Sequence, residues 1–191
     1  MNKQLKLTLI AALLMSGGAQ ASVLLNNLGG TRGFGDLIMS PNDDGSSVQQ
    51  SLAFNLNFFS QNYSSFWVNN NGNISFNGPL RTFTPQVFPI SSTPMIAPFW
   101  ADVDTRNRVD NLPTPNHNNV YLARPDSNTV VVTWDTVGYY SASNDKQNSF
   151  QLVLKNQSNN TNNAGDFDME FRYNQLQWTT GSASGGVNGL G

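Results

Sequence analysis

Twenty-seven asparagines stand against a single glutamate, Glu170, in this 191-residue chain. No other feature limits the fold as much. Asn, Ser, Gly and Asp either hydrogen-bond their own neighbouring backbone or tolerate positive φ, so they favour turns over helix interiors. The Glu and Lys that would favour helices are nearly missing. The composition predicts an all-β domain with many turns.

Period-2 alternation supplies the strands. In "SLAFNLNFF", Leu52, Phe54, Leu56 and Phe58 share one face, with Asn55 and Asn57 on the other. "SFWVNNNGNISF" sets two apolar runs around Asn71-Gly72, a hairpin signal because both turn residues accept φ > 0. "NVYLARPDSNTVVVTW" repeats the plan around residues 125–128. "SFQLVLK" and "DFDMEFRY" form a third pair across the Asn-rich loop 156–165. In the last strand Phe167, Met169, Phe171 and Tyr173 face one way, and Asp166, Asp168, Glu170 and Arg172 the other. A further strand is expected at 95–101, after a proline-bearing stretch that wanders over the surface. A short helix has room only within 34–50. Strands at this spacing predict a single domain built as a twisted antiparallel sandwich.

Residues 1–21 read as a secretory signal peptide. Lys3 and Lys6 precede the apolar run "LTLIAALLM", and Ala19 and Ala21 form an A-x-A cleavage site. That run is too short to be a membrane-spanning helix, and no later one approaches 18 residues. The mature chain, 22–191, is therefore expected to be exported without a transmembrane segment. Without Lys3 and Lys6, eight Lys and Arg face twelve Asp and Glu, and this acidic balance excludes phosphate-driven nucleic-acid binding. Cysteine is absent, which in an exported chain favours a bacterial source.

Chemistry has few places to reside. His117 is the only histidine and sits in the loop-like "PTPNHNN" with no nucleophile motif elsewhere, so a Ser–His–Asp mechanism lacks its parts. One His and no Cys also exclude a zinc site of the usual ligands. "GGTRGFGD" lacks the strand–helix context of a phosphate cradle and reads as a loop. Four N-x-[ST] sequons occur, at Asn62, Asn73, Asn156 and Asn159. "PMIAPFWADVDT" (94–105) is the exception, because Asp102 and Asp104 follow a greasy segment at i and i+2. On a strand they would share a face about 6–7 Å apart. Three roles fit: accepting backbone N–H bonds in a turn, holding a hard cation such as calcium, or paired-carboxylate glycoside hydrolysis. If Trp100 packs inward while Phe99 and Ala101 face away, the strand must end near Ala101, because unpaired carboxylates are costly to bury.

"FWVNNNGNISFNGPL", "FPISSTPMIAPFWADVDT", "NVYLARP", "VVVTWDTVGYY", "NSFQLVLKN" and "LQWTTG", in this order and spacing, closely resemble the extracellular nidogen-like (NIDO) domain. The resemblance covers about residues 50–191 and carries Trp100, Trp134 and Trp178, with Asp102 and Asp104, as structural motif residues. It implies an exported, non-enzymatic module of cell–matrix adhesion and extracellular assemblies, with no catalytic residues to carry over. The family is found in basement-membrane nidogen, in tectorin-type and mucin-type surface proteins, and in exported bacterial proteins. Its pattern normally runs on into a further Gly- and Ala-containing strand, so a C-terminal truncation is expected, leaving an unpaired edge.

The expected function is adhesion or scaffolding through contact with an extracellular matrix or cell-surface protein or polysaccharide. The loops 69–73, 106–119 and 156–165 are the candidate surfaces. A carbohydrate-binding sandwich is the alternative, and would require aromatics such as Tyr139 and Tyr140 exposed in a row. A secreted glycosidase is the weaker one, and would require two carboxylates facing one cleft.

Overall fold

The computed structural model describes residues 23–88, 90, 92–106 and 118–191. The signal segment with Ala19 and Ala21, His117 and most of the loop 106–119 lie outside the described residues.

Ten strands follow in chain order: β1 (Asp36–Leu37), β2 (Gln50–Phe58), β3 (Gln61–Asn69), β4 (Asn73–Ser75), β5 (Met95–Ile96), β6 (Val103–Asp104), β7 (Asn119–Asp126), β8 (Thr129–Tyr139), β9 (Ser143–Asn156) and β10 (Phe167–Leu176). They form two antiparallel sheets. One runs β1-β7-β8-β9-β10, with β6 pairing the far end of β8, and the other runs β2-β3-β4-β5. The predicted hairpins are all present. The β2–β3 turn uses Phe59 and Ser60, both at positive φ (49° and 63°). At the Asn-Gly turn only Gly72 takes positive φ (77°), because Asn69 pairs with Asn73 and the loop has three residues rather than two.

The core lies between the sheets. Leu56, Phe66, Val68 and Ile74 on one side meet Val132, Trp134, Phe150 and Leu152 on the other. Trp134 and Phe150, opposite each other in the β8–β9 ladder, stack with centroids 5.1 Å apart. Burying side chains of this size contributes roughly 1.5–3 kcal/mol each. A smaller cluster of Ala123, Val131 and Val153 forms on the outer face and is covered by Leu25 and Leu28. Gln151 clamps that covering strap, accepting from the Leu25 N–H (2.8 Å) and donating to the Leu25 carbonyl (2.8 Å).

Three local expectations need correcting. The 34–50 segment holds β1 and a bridge from Ser46 to Asn69, not a helix; the only helices described are single turns at Ser158–Thr161 and Ser182–Ser184. The 95–101 segment is not one strand, since β5 ends at Ile96 and the chain then bends over the Asn-Gly turn. There the Phe99 N–H donates to the Gly72 carbonyl and the Ala101 N–H to the Asn71 carbonyl, both at 3.3 Å. A Cβ at residue 72 would sit 1.7 Å from the Phe99 oxygen, so only glycine fits. Period 2 therefore fails here. Ala101 is buried, Phe99 packs on Phe150 and Trp178, and Trp100 turns outward, its indole donating to the Thr82 carbonyl (2.8 Å).

Candidate functional site

The motif residues converge at one end of the sandwich, where three segments meet: the loop 41–45, the turn 69–73 and the stretch 101–106. "PNDDG" is a turn-forming string, and the Asn42 side-chain oxygen accepts from the Gly45 N–H (2.6 Å) to close it. Thr105 zips it to the third segment: its N–H and hydroxyl both reach the Asn42 carbonyl, at 2.9 and 2.8 Å.

Asn70 joins all three. It is fully buried, and its side-chain NH2 faces the carbonyls of Asn42 (3.2 Å), Asp43 (2.5 Å) and Val103 (2.5 Å). The Trp134 indole then donates to the carbonyls of Asn69 and Asn70, at 3.2 and 3.1 Å. Asn69 and Asn73 bond each other through their amides (2.7 Å). Buried polar groups of this kind are retained only when satisfied. The turn 69–73 is thus buried throughout and is not a contact loop, which corrects the expectation. The sequon at Asn73 is buried with it. Loop 156–165, by contrast, is exposed over 159–164.

Asp102 and Asp104 part company. Asp104 is fully buried, pairs with the Arg106 guanidinium (Nη2 to Oδ2, 2.5 Å) and caps the N–H groups of Arg106 (3.0 Å) and Ala142 (2.7 Å). Burial alone would raise its pKa, but the Arg106 bonds and the two backbone donors together hold it below the ordinary carboxylate value. Asp102, only 4% exposed, looks instead toward Asp43 and Asp44. Burial pushes its carboxyl up to about 7, and repulsion from Asp43, Asp44 and Asp104 adds to the rise. The two carboxylates that glycoside hydrolysis would need therefore do not address one cleft.

Asp102 opens onto a cavity of about 470 Å³ lined also by Asp44, Phe83, Tyr140, Ser182 and Ala183. Gly181 packs closely on Asp102, where a Cβ would lie 2.7 Å from the Asp102 Cβ. Behind it stands Trp178, fully buried, donating to the Val137 carbonyl (3.0 Å) and packed edge-on to Phe99. Tyr139 is also in the core, against Trp178, so Tyr139 and Tyr140 do not form the exposed row a carbohydrate platform would need.

The nidogen-like domain (NIDO) family model matches residues 64–191. The chain belongs to the nidogen-like domain family. Alpha-tectorin of mouse is 36% identical over 168 residues, covering 78% of this chain and 8% of that protein. Nidogen-2 of mouse is 30% identical over 153 residues, covering 67% and 11% respectively, and Drosophila nidogen is 25% identical over 138. The chain thus spans about a tenth of the length of the curated relatives it matches. No solved structure matches it. The relatives are structural proteins of the extracellular matrix and not enzymes. Within this nidogen-like domain, the "NNNG" and "FWADVDT" strings meet in one buried polar junction.

Sequence reasoning singled out Trp100, Asp102, Asp104, Trp134 and Trp178 and took Asn70 only as part of the contact loop 69–73, but missed Asp43 and Asp44. The adjacent pair Asp43-Asp44 was a usable signal, since no other two acids adjoin in the chain.

Proposed function

We propose that this nidogen-like domain is an exported, non-enzymatic adhesion or scaffold module that works by surface contact with an extracellular matrix or cell-surface protein. What carries the reading is the use to which its polar motif is put. Asn69, Asn70, Asn73 and Asp104 are fully buried and bonded to one another's segments, so the motif builds a rigid end on the sandwich rather than a reactive cleft. Binding surfaces then belong to exposed regions held by that scaffold. A protein partner is favoured over a polysaccharide by the character of the exposed surface. Phe59 (87% exposed) and Phe88 (54%) line an apolar hollow of about 400 Å³ together with Tyr63 and Met95. Such surfaces mark contact sites for apolar side chains.

Bacterial origin rests on the cysteine-free composition alone; the relatives matched come from mouse, human, chicken and fly. Secretion through residues 1–21 rests on their sequence pattern.

The test is a binding panel of immobilised matrix proteins and polysaccharides against purified residues 22–191, beside Phe59→Asp/Phe88→Asp. Saturable binding to a protein, lost in a variant with an unchanged melt, is the expected result. Binding confined to polysaccharides, or binding indifferent to the double substitution, overturns the assignment of partner or surface.

A further inference from the structure

Asp43, Asp44 and Asp102 each place a carboxylate oxygen within 4.8 Å of the other two. Proximity of acids is common and means little alone. Here two further observations distinguish the cluster. Asp102 is 96% removed from solvent by the 4% exposure above, yet among the described residues its carboxylate takes no hydrogen bond. Asp43 uses Oδ2 for Arg106 (3.0 Å) and leaves Oδ1 buried with no partner at all. Asp44 accepts one bond, from the Asn71 amide (2.8 Å), which orients it. Arg106 offsets the group only in part, because it reaches Asp43 Oδ2 alone and shares its guanidinium with Asp104. A buried carboxylate oxygen without a donor, as Asp43 Oδ1 is, is expensive, and oxygens converging from two chain segments are what a hard cation selects.

We propose that Asp43, Asp44 and Asp102 form a calcium site at the junction of the loop 41–45 with the 101–106 segment. Calcium–oxygen distances of about 2.3–2.6 Å span roughly 4.6–5.2 Å across the ion, which suits this separation. Magnesium, at about 2.0–2.1 Å, would require the three carboxylates to close up. The ion would tie the loop to Asp102 where no protein donor does so. Its remaining coordination positions would face the cavity lined by Phe83, Tyr140 and Ser182, open to water or to an oxygen of a partner. Extracellular modules of this type bind calcium at about 10⁻⁴–10⁻³ M. The site is independent of which partner the domain contacts.

The experiment titrates calcium into chelator-treated protein (residues 22–191) by calorimetry, with parallel melts in calcium, magnesium and chelator. Wild type, Asp102→Asn, Asp44→Asn and the exposed-site control Asp168→Asn are compared. The expected result is one calcium per chain, a raised melting temperature in calcium exceeding that in magnesium, and a loss of affinity of tenfold or more in Asp102→Asn and Asp44→Asn only. Asn keeps the size of Asp, and Asp44→Asn at the half-exposed position stands in if Asp102→Asn does not fold. No heat and no calcium-dependent melt shift up to about 5 mM, or a shift retained in both variants, overturns the proposal.

Discussion

Asn148 grips Trp178 by both sides of its peptide: the side-chain NH2 donates to the Trp178 carbonyl at 2.9 Å, while the side-chain oxygen accepts the Trp178 N–H at 3.1 Å. The same oxygen also accepts the Gln177 N–H at 2.8 Å. One side chain on β9 thereby carries the β9–β10 pairing past Leu176 to Trp178, whose indole packs edge-on to Phe99.

Asn148→Ala removes all three bonds and strands buried backbone groups. It is expected to cost about 2–4 kcal/mol, since each orphaned buried group costs about 1–3. Urea unfolding followed by tryptophan emission reads this directly; a midpoint unchanged within error would refute the role.

Asn70 permits a sharper contrast. Its NH2 faces three carbonyl oxygens, so Asn70→Asp places an acceptor against acceptors, whereas Asn70→Ala only deletes the donor. The near-isosteric aspartate should be the more damaging change, by more than about 1 kcal/mol. Equal or reversed costs would mean the amide is oriented the other way round.

The two motif aspartates predict opposite pH behaviour. Asp102's folded pKa, about 7, lies above the ordinary 3.8, so the folded state holds that proton more tightly than the unfolded chain. The stability it contributes is present below about pH 4 and is lost as pH rises toward 7. Asp43, also raised, adds in the same direction. Asp104 is depressed and contributes above 3.8, losing its stabilisation only as pH falls through its own lower pKa. In chelator, the melting temperature should therefore decline between pH 4.5 and 7, and Asp102→Asn should flatten that decline. A wild-type melt that climbs across this window, with the variant superimposed on it, would contradict the assignment.

Gly181→Ala drives a methyl against the Asp102 Cβ, and neither atom lies at a flexible tip. Overpacking of this sort costs about 1–3 kcal/mol. Relief should come by displacing 182–183 from the cavity wall, seen as faster proteolysis after Thr180 and a lower melt. Unaltered cleavage and an unaltered melt would show that the contact yields freely.

The strands were legible where alternation is a local code, as from Leu52 to Phe58; Asn119–Ala123 and Val130–Asp135 are buried on both faces and were legible instead as runs closed by the turn at 127–128. At 97–102 the code fails for a physical reason. The segment takes its hydrogen bonds from the Asn71 and Gly72 carbonyls instead of a ladder, so the phase that would have buried Trp100 is inverted: Ala101 is buried and Phe99 packs partly buried against the core. The buried polar junction was legible only as a resemblance. Nothing in the string "NNN" says which amide will face three carbonyls; that depends on segments 27 to 33 residues away. Asp43 and Asp44 were visible as the one adjacent acidic pair, but their partner Asp102 was not, since it is distant in sequence.

The burial of Asn73 has a consequence for how this domain is produced. Its side-chain nitrogen, the atom a glycan would occupy, donates to the Asn71 carbonyl at 3.3 Å inside a fully enclosed turn. In a host that attaches glycans during translocation, transferase and turn compete for the same nitrogen. A chain modified there can never complete the junction, so glycan occupancy at Asn73, read by mass spectrometry, would count the molecules that lost the race.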